Sequence, residues 1–242
     1  MLKTLDSALA LLTRFTIDEP TWGVRELAKA TGTHHAVVHR VLATFAANGF
    51  LMQDSAGRYA LGLRLFELGQ VAHQTFVPSA VVQPALDALA EHCGETVFLT
   101  LLDGNEGVCT DIGQSQQQLR FSVELGQRFS LLAGAHAKVI LAFQSDEFRA
   151  AIYQSADIAD AATIDGDLAR IRADGWSYTR EEAAATVAGV ALPLRSSDRR
   201  RVIGSLGIAG PLQRIEGETV TQLVEILKKT RETIEPVVGL NR

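Results

Sequence analysis

Between Val24 and Phe45 the apolar positions fall into two short helical runs separated by Thr31-Gly32-Thr33. Val24, Leu27 and Ala28 give the first run one apolar face. Val38, Val41, Leu42 and Phe45, spaced i, i+3, i+4, i+7, give the second a single buried stripe. Gly32 is free to take the left-handed conformation that turns the second helix sharply away from the first. The stripe leaves His35, Ala36, His39, Arg40 and Ala43 facing outward. Asn48-Gly49 ends the second helix, Phe50-Leu51-Met52 reads as a strand, Asp54-Ser55-Ala56-Gly57 as a turn, and Arg58 to Leu61 as the return strand. This order predicts a winged helix-turn-helix. Its second helix suits a DNA major groove and its hairpin the flanking backbone or minor groove.

The same patterning continues along the chain. Leu2, Leu5, Leu9 and Leu12 repeat at helical spacing, with Asp6, Thr13 and Arg14 interrupting the run. That reads as an amphipathic first helix packed on the DNA-binding unit rather than as a signal peptide. A connecting helix is predicted from Leu61 to about Thr75, ended by Pro78, which marks the domain boundary. Val81, Val82, Ala85, Leu86, Leu89 and Ala90 start the second domain as a helix. Strands follow at Thr96–Leu102 and Val108–Ile112 around a loop at 103–107, then an exposed polar stretch at 114–118 and a strand at Leu119–Val123. A small-residue helix is expected from Leu131 to Phe143, with further helices near 145–155 and 165–174 and a short strand at Trp176–Thr179. Gly189–Leu194 and Val202–Ala209 read as strands around a charged tip, Ser196 to Arg200, and Glu218 to Val238 as the last helix. The expected fold class is α+β: a winged helix-turn-helix at 1–61, a linker helix at 62–77, and at 78–242 an antiparallel sheet of about five or six strands with helices.

Composition narrows the function. A chain of 242 residues, 47% hydrophobic, exceeds one winged helix of roughly 70 residues and can bury two cores. Net charge is −5, but residues 1–77 hold seven Lys/Arg against six acids, so the acidity lies in the remainder. That excludes a second nucleic-acid surface there and leaves one copy with modest attraction for phosphate, which a dimer would improve. Cys93 and Cys109 are too few for a disulfide scaffold and lack zinc-finger spacing. No apolar run reaches the ~18 residues that span a bilayer. A cytoplasmic protein without membrane partner fits.

The candidate chemistry is that of binding. Arg40 and the histidines can contact phosphates or base edges, and the DNA-facing set is Arg25, His34, His35, Ala36, His39, Arg40 and Arg58. His35 and His39 lie four apart on one helical face, yet no Cys or carboxylate completes a metal site, so no metal and no cofactor is expected. GSLGIAGP (Gly204, Gly207, Gly210) matches neither GxGxxG nor GxxxxGK[ST]; its glycines instead let a ligand or another backbone approach a strand. Glu181-Glu182 have no acid/base partner, and His136 has no nucleophile motif around it, so the chain is not read as an enzyme.

Several separated motifs, taken in order, resemble the IclR family of bacterial transcription regulators over nearly the whole chain. They are LDSALALL, ELAKATG, VHRVLATF, GRYALGLRLFELG, AKVILA, IRADGWSYTREE, VALPL and IAGP. The resemblance implies an N-terminal winged helix-turn-helix, a GAF-like C-terminal effector-binding domain, and dimers that often pair into tetramers. It also implies control of catabolic operons in response to small metabolites. Carried over position by position, the effector pocket would draw on Phe121, Ala135, His136, Thr179, Gly189, Gly207 and Ala209. This chain departs from the family pattern in several places. Ala36 and Val37 replace the usual Ser-Thr pair opening the recognition helix. Ser130-Leu131-Leu132-Ala133 stands for PLHA, Ala137-Lys138 for Gly-Lys, and Thr186 for a glycine. Gly207 and Ala209 stand where members binding small carboxylates have serines. Losing such donors costs a carboxylate about 1.5–3 kcal/mol per charged hydrogen bond, which favours an aromatic or amide-bearing catabolite.

The expectation is therefore a homodimeric or homotetrameric repressor of a catabolic operon. It would bind a double-stranded operator with paired half-sites, its affinity set by a small-molecule effector. The rivals are an enzyme or metabolite-binding module with a regulatory N-terminal domain, and a metal- or pH-responsive DNA-binding switch run by the histidines.

Overall fold

The computed structural model describes residues 2–77, 79–158, 161–196 and 199–238. The chain divides into two compact units, residues 1–72 and 73–242. The predicted boundary residue Pro78, and Ser197 and Asp198 of the predicted charged tip, lie outside the described residues.

In the first unit the order is α1 (Lys3–Leu12), β1 (Thr21–Trp22), α2 (Val24–Thr31), α3 (His35–Ala47), β2 (Leu51–Gln53) and β3 (Tyr59–Leu61), followed by most of α4 (Leu63–Phe76). Gly32 ends α2 at φ +63, the left-handed turn expected of it. Leu27, Val38, Leu42, Leu51 and Tyr59 form the core with Leu11 and Phe15. Each large side chain so buried contributes about 1.5–3 kcal/mol. β1 has no counterpart among the predicted elements. It is two residues long and pairs antiparallel with β3, giving the strand order β1-β3-β2. The leucine stripe of α1 also differs from expectation. Leu2, Leu5 and Leu9 are exposed, at 75%, 53% and 50%, and Leu11 is the residue that enters the core. The turn after α1 accounts for this: Phe15 follows Leu11 inward, and Trp22 Nε1 holds the Arg14 carbonyl at 2.9 Å.

The second unit contains α5 (Ser79–Cys93), β4 (Thr96–Asp103), β5 (Glu106–Gly113), β6 (Arg128–Ser130), α6 (Ala135–Ala142), α7 (Asp146–Ser155), α8 (Ala162–Asp174), β7 (Ser177–Arg180), β8 (Val187–Arg195), β9 (Val202–Pro211) and α9 (Glu218–Ile234). The strands form one antiparallel sheet in the order β6-β5-β4-β9-β8-β7. One face buries Val97, Leu99, Val190, Leu206 and Ile208 against Leu86 and Leu89 of α5 and Leu223, Val224 and Leu227 of α9. On the other face α6, entirely buried, packs with α8.

Two predicted elements change. Leu119–Val123 is not a strand. Its carbonyls are taken by side chains rather than by a ladder: Thr96 Oγ1 donates to Phe121 O at 2.7 Å and Arg214 Nη2 to Leu119 O at 2.8 Å. The edge strand lies instead at Arg128–Ser130. The helix expected from Leu131 begins only at Ala135, because Gly134 stands at φ +88. The stretch 114–118, expected to be exposed, contains Ser115, which is buried and donates to Gly94 O at 2.6 Å.

Candidate functional site

The recognition helix carries two faces set by one period. Val38 and Leu42 are fully buried, and His35, Ala36, His39, Arg40 and Ala43 are exposed on the opposite side. His34 sits at the N-cap in extended conformation, and its Nδ1 accepts the Ala36 N–H at 3.3 Å. It therefore does the work that Ser or Asp does at most helix starts. Among the described residues neither Arg25 nor Arg40 makes an ion pair, and both are exposed. Arg58, expected in the DNA-facing set, is tied within the first unit. Its Nε donates to Thr21 Oγ1 at 3.1 Å and its Nη2 to Thr21 O at 2.9 Å, while Nη1 pairs with Glu26 Oε2 at 3.0 Å. The guanidinium thus fastens the wing strand to β1 and to the first turn of α2. Glu26 also accepts the Gly23 N–H; that bond first, then the Arg58 charge, holds its carboxyl below the usual range. Among the described residues no three His, Cys, Asp or Glu side chains are arranged for a metal, at His35 and His39 or elsewhere.

In the second unit a cavity of about 310 Å³ opens between the sheet and the start of α6. Phe121, Ala135, His136, Thr179, Gly189 and Ala209, all singled out in the sequence, line it. Gly207 does not; it lies behind the His136 ring, where a Cβ would come within 2.6 Å of Nε2 and 2.5 Å of Val190 O. At Gly204 the close approach is to backbone, a Cβ there falling 2.1 Å from Thr100 O.

His136 organises the inner wall. Its ring stacks on Phe98 with centroids 3.7 Å apart and planes at 17°, and Phe98 in turn stacks on Phe121 at 6.0 Å. Nδ1 meets Ser205 Oγ at 2.9 Å and Thr100 Oγ1 at 3.3 Å. Nε2 is buried and has no partner of hydrogen-bond geometry. Burial pushes the imidazole down to about 3, opposed only in part by the nearby Gly207 backbone, so the ring is neutral in the physiological range. A neutral ring held at Nδ1 leaves Nε2 as a donor or an acceptor according to its tautomer.

The rest of the lining is apolar or uncharged, including Phe98, Phe129, Ala133, Ala183 and Val187. None of the described residues lining the cavity is Lys, Arg, Asp or Glu. The charges lie just outside it. Glu182, on the β7–β8 loop, accepts the Gly134 N–H through Oε2 at 3.2 Å and pairs through Oε1 with Lys138 Nζ at 2.7 Å. Lys138 also reaches Asp167 at 2.8 Å. Burial alone would lower the Lys138 ammonium, but the bonds to Asp167 and Glu182 outweigh it and raise it above its ordinary value. The start of α6, an anion-attracting helix end, is thus already occupied by a carboxylate of the chain. The loop closes at Thr186, which holds φ +62, a conformation natural to the glycine expected at this place.

Phe98, Thr100, Ser205 and Glu182 are the participants that sequence reading missed. The period of two along β4 and β9 carried a signal for the first three, since 98 and 100, and 205, 207 and 209, share a face. Nothing local pointed to Glu182, whose partners are 44 and 48 residues away.

Comparison with known proteins agrees with both halves. Residues 4–55 match the IclR helix-turn-helix domain and residues 72–235 the C-terminal domain of the bacterial transcriptional regulator IclR. The chain is 28% identical to the HTH-type transcriptional regulator KipR of Bacillus subtilis, covering 98% of this chain and 97% of that protein. It is 28% identical to the acetate operon repressor of Salmonella typhimurium, covering 99% and 91%. An IclR homologue from Microbacterium hydrocarbonoxydans, solved in complex with 4-hydroxybenzoate, shares the fold at a TM-score of 0.82 with 22% identity, covering 96% of this chain and 97% of that one. With a helix-turn-helix unit before a curled antiparallel sheet, and family matches spanning both, this chain belongs to the IclR family of transcriptional regulators.

Proposed function

We propose that the protein is a ligand-responsive repressor of a catabolic operon. In this reading residues 1–61 bind DNA, 62–77 link, and 78–242 bind an effector. The observation that carries the DNA half is the outward face of α3, where His35, Ala36, His39 and Arg40 stand exposed opposite the buried Val38 and Leu42. Arg25 on α2 adds a second cation to the phosphate-facing set, and His34 contributes by fixing the start of the helix. Arg58 positions the wing.

The effector half rests on the cavity around His136. Aromatic rings on one wall and no charged side chain in the lining suit a flat, uncharged or weakly polar aromatic or amide-bearing molecule. The homologue solved with 4-hydroxybenzoate supports a ligand of that size. A two- or three-carbon acid would find no cation there, and Glu182 already occupies the start of α6. Such a ligand shifts operator affinity only as far as it binds the two arrangements of the protein differently.

Association of copies is part of the reading, because paired recognition helices require it. Leu63 and Phe66 on α4 are 71% and 65% exposed, apolar side chains that a second copy would cover. No helix of the described residues is long and apolar enough to cross a membrane, and a cytoplasmic location follows from the DNA role.

The test is titration of the protein against DNA from its own upstream region, followed by anisotropy at several salt concentrations. Wild type should bind with a salt-dependent affinity that a cavity ligand changes. Absence of a shift on every such fragment, with Arg40→Ala indistinguishable from wild type, would sink the reading.

A further inference from the structure

Away from the aromatic cavity, the end of β8, Ser196 and Arg199 beyond it, and the last turn of α9 frame an open cleft of about 550 Å³. Arg195, Arg199 and Arg231 line it, together with Glu232 and Glu235, and it shares no lining residue with the cavity around His136. Three observations set these arginines apart. The Nε of Arg231 is buried and has no hydrogen-bond partner. Arg195 lays its guanidinium over the Phe143 ring, 5.1 Å from the centroid, which fixes the planar group without using its donors. Arg199 holds φ +58, a backbone conformation an arginine rarely takes.

Ion pairing is widespread elsewhere: Arg58, Arg128, Arg149, Arg170 and Arg214 each meet a carboxylate. Arg195, Arg199 and Arg231 have no such pair among the described residues. Of the two carboxylates in the cleft, Glu235 is turned to the Arg195 backbone N–H at 2.8 Å. A buried cationic donor left without an acceptor, as Arg231 Nε is, is costly and uncommon in folded proteins, and the half-buried Arg195 and exposed Arg199 bring two further guanidinium groups to the same cleft.

We propose that this cleft binds a small multivalent oxyanion of the phosphate type. It would be a second input to the regulator, separate from the effector cavity. Guanidinium forks match phosphate oxygens two at a time. A phosphate offers acceptors to forks arriving from three elements, whereas a lone carboxylate has two oxygens on one edge. The C-terminal end of α9, Glu232 and Glu235 oppose an anion, and against the two carboxylates stand three guanidinium groups. The phosphate could come as a free oxyanion or as the backbone of DNA, and we commit to the free oxyanion.

The experiment is thermal unfolding and calorimetric titration of the full chain with pyrophosphate, against sodium chloride at equal ionic strength. Wild type should gain roughly 2–6 °C with pyrophosphate over chloride at saturation. Arg231→Gln keeps an amide donor and removes the charge; it should weaken pyrophosphate at least about tenfold and lose the shift, with Arg195→Gln as the second variant should the first fold poorly. Operator affinity is measured on the same variants. Loss of the pyrophosphate shift with operator affinity unchanged supports the free-oxyanion site. An equal shift in wild type and both variants, or no shift beyond chloride, overturns it. A fall in operator affinity without any pyrophosphate effect assigns the cleft to DNA phosphate and also overturns it.

Discussion

Gly207 stands directly behind His136: a Cβ at position 207 would lie 2.6 Å from the imidazole Nε2. The glycine on β9 is what allows the ring to lie flat against Phe98 with Nδ1 on Ser205. Gly207→Ala should therefore push His136 out of its stack and strain the sheet at Val190 O. We expect a loss of about 1–3 kcal/mol in a urea titration, together with loss of ligand binding in the cavity. A variant of unchanged stability and unchanged near-ultraviolet spectrum would contradict the packing described.

His136 also makes stability depend on pH. Its folded value is pushed down to about 3 by burial, from an ordinary 6.5. A depressed histidine contributes stability that is complete above about pH 6.5 and lost on acidification, because the unfolded chain takes up the proton first. Between pH 6.5 and 5 that amounts to about 2 kcal/mol. The wild-type urea midpoint should fall over this interval, and His136→Gln should flatten the fall. Parallel profiles for the two proteins would show that the imidazole is not buried neutral.

Lys138 ties α6 to α8 and to the β7–β8 loop. Lys138→Met leaves Glu182 without its cation and Asp167 with Arg170 alone, and should cost about 1–3 kcal/mol, with greater protease sensitivity in the loop around Ala183 and Ala184. The bond from Lys138 first, then the Lys138 and Arg170 charges, holds Asp167 below its ordinary 3.8, while Lys138 is held above 10.5. The contribution is thus complete between about pH 4 and 10.5. It is lost as pH falls through the depressed carboxylate value or rises through the raised ammonium value. Comparing wild type with Lys138→Met at pH 3, 7 and 11 checks both edges.

Arg40 and Arg58 should separate in a salt series. Arg40→Ala removes a free cation from the reading face, and the slope of log affinity against log salt should become shallower by about 0.9 for each phosphate that the protein no longer neutralises. Arg58 is bound to Thr21 and Glu26. Arg58→Ala should lower the stability of the first unit and weaken DNA binding while leaving the slope unchanged. Identical slope changes in both would place Arg58 on DNA after all.

The elements were largely legible in the sequence because periodicity is local. The Val38–Phe45 stripe, the strand pair Val202–Ala209 and Gly189–Leu194, and the last helix needed only their own residues to be recognised. The misread segments were those decided by distant partners. Leu119–Val123 has a strand's composition, but Thr96 and Arg214 take its carbonyls. Leu2, Leu5 and Leu9 have a buried helix's spacing, yet Leu11 faces the core.

From the sequence by itself came the two-part organisation, the outward face of the recognition helix, the family and most of the cavity's lining positions, since motif spacing and side-chain period survive without a third dimension. The tertiary structure alone decided what those residues do to one another. It tied Arg58 to Thr21 and Glu26. It also held His136 neutral between Phe98 and Gly207, set Glu182 on the start of α6, and gathered three arginines on one cleft. Each of these depends on desolvation or on a hydrogen bond between residues far apart in the chain or newly set in angle, and neither burial nor angle is written in residue order.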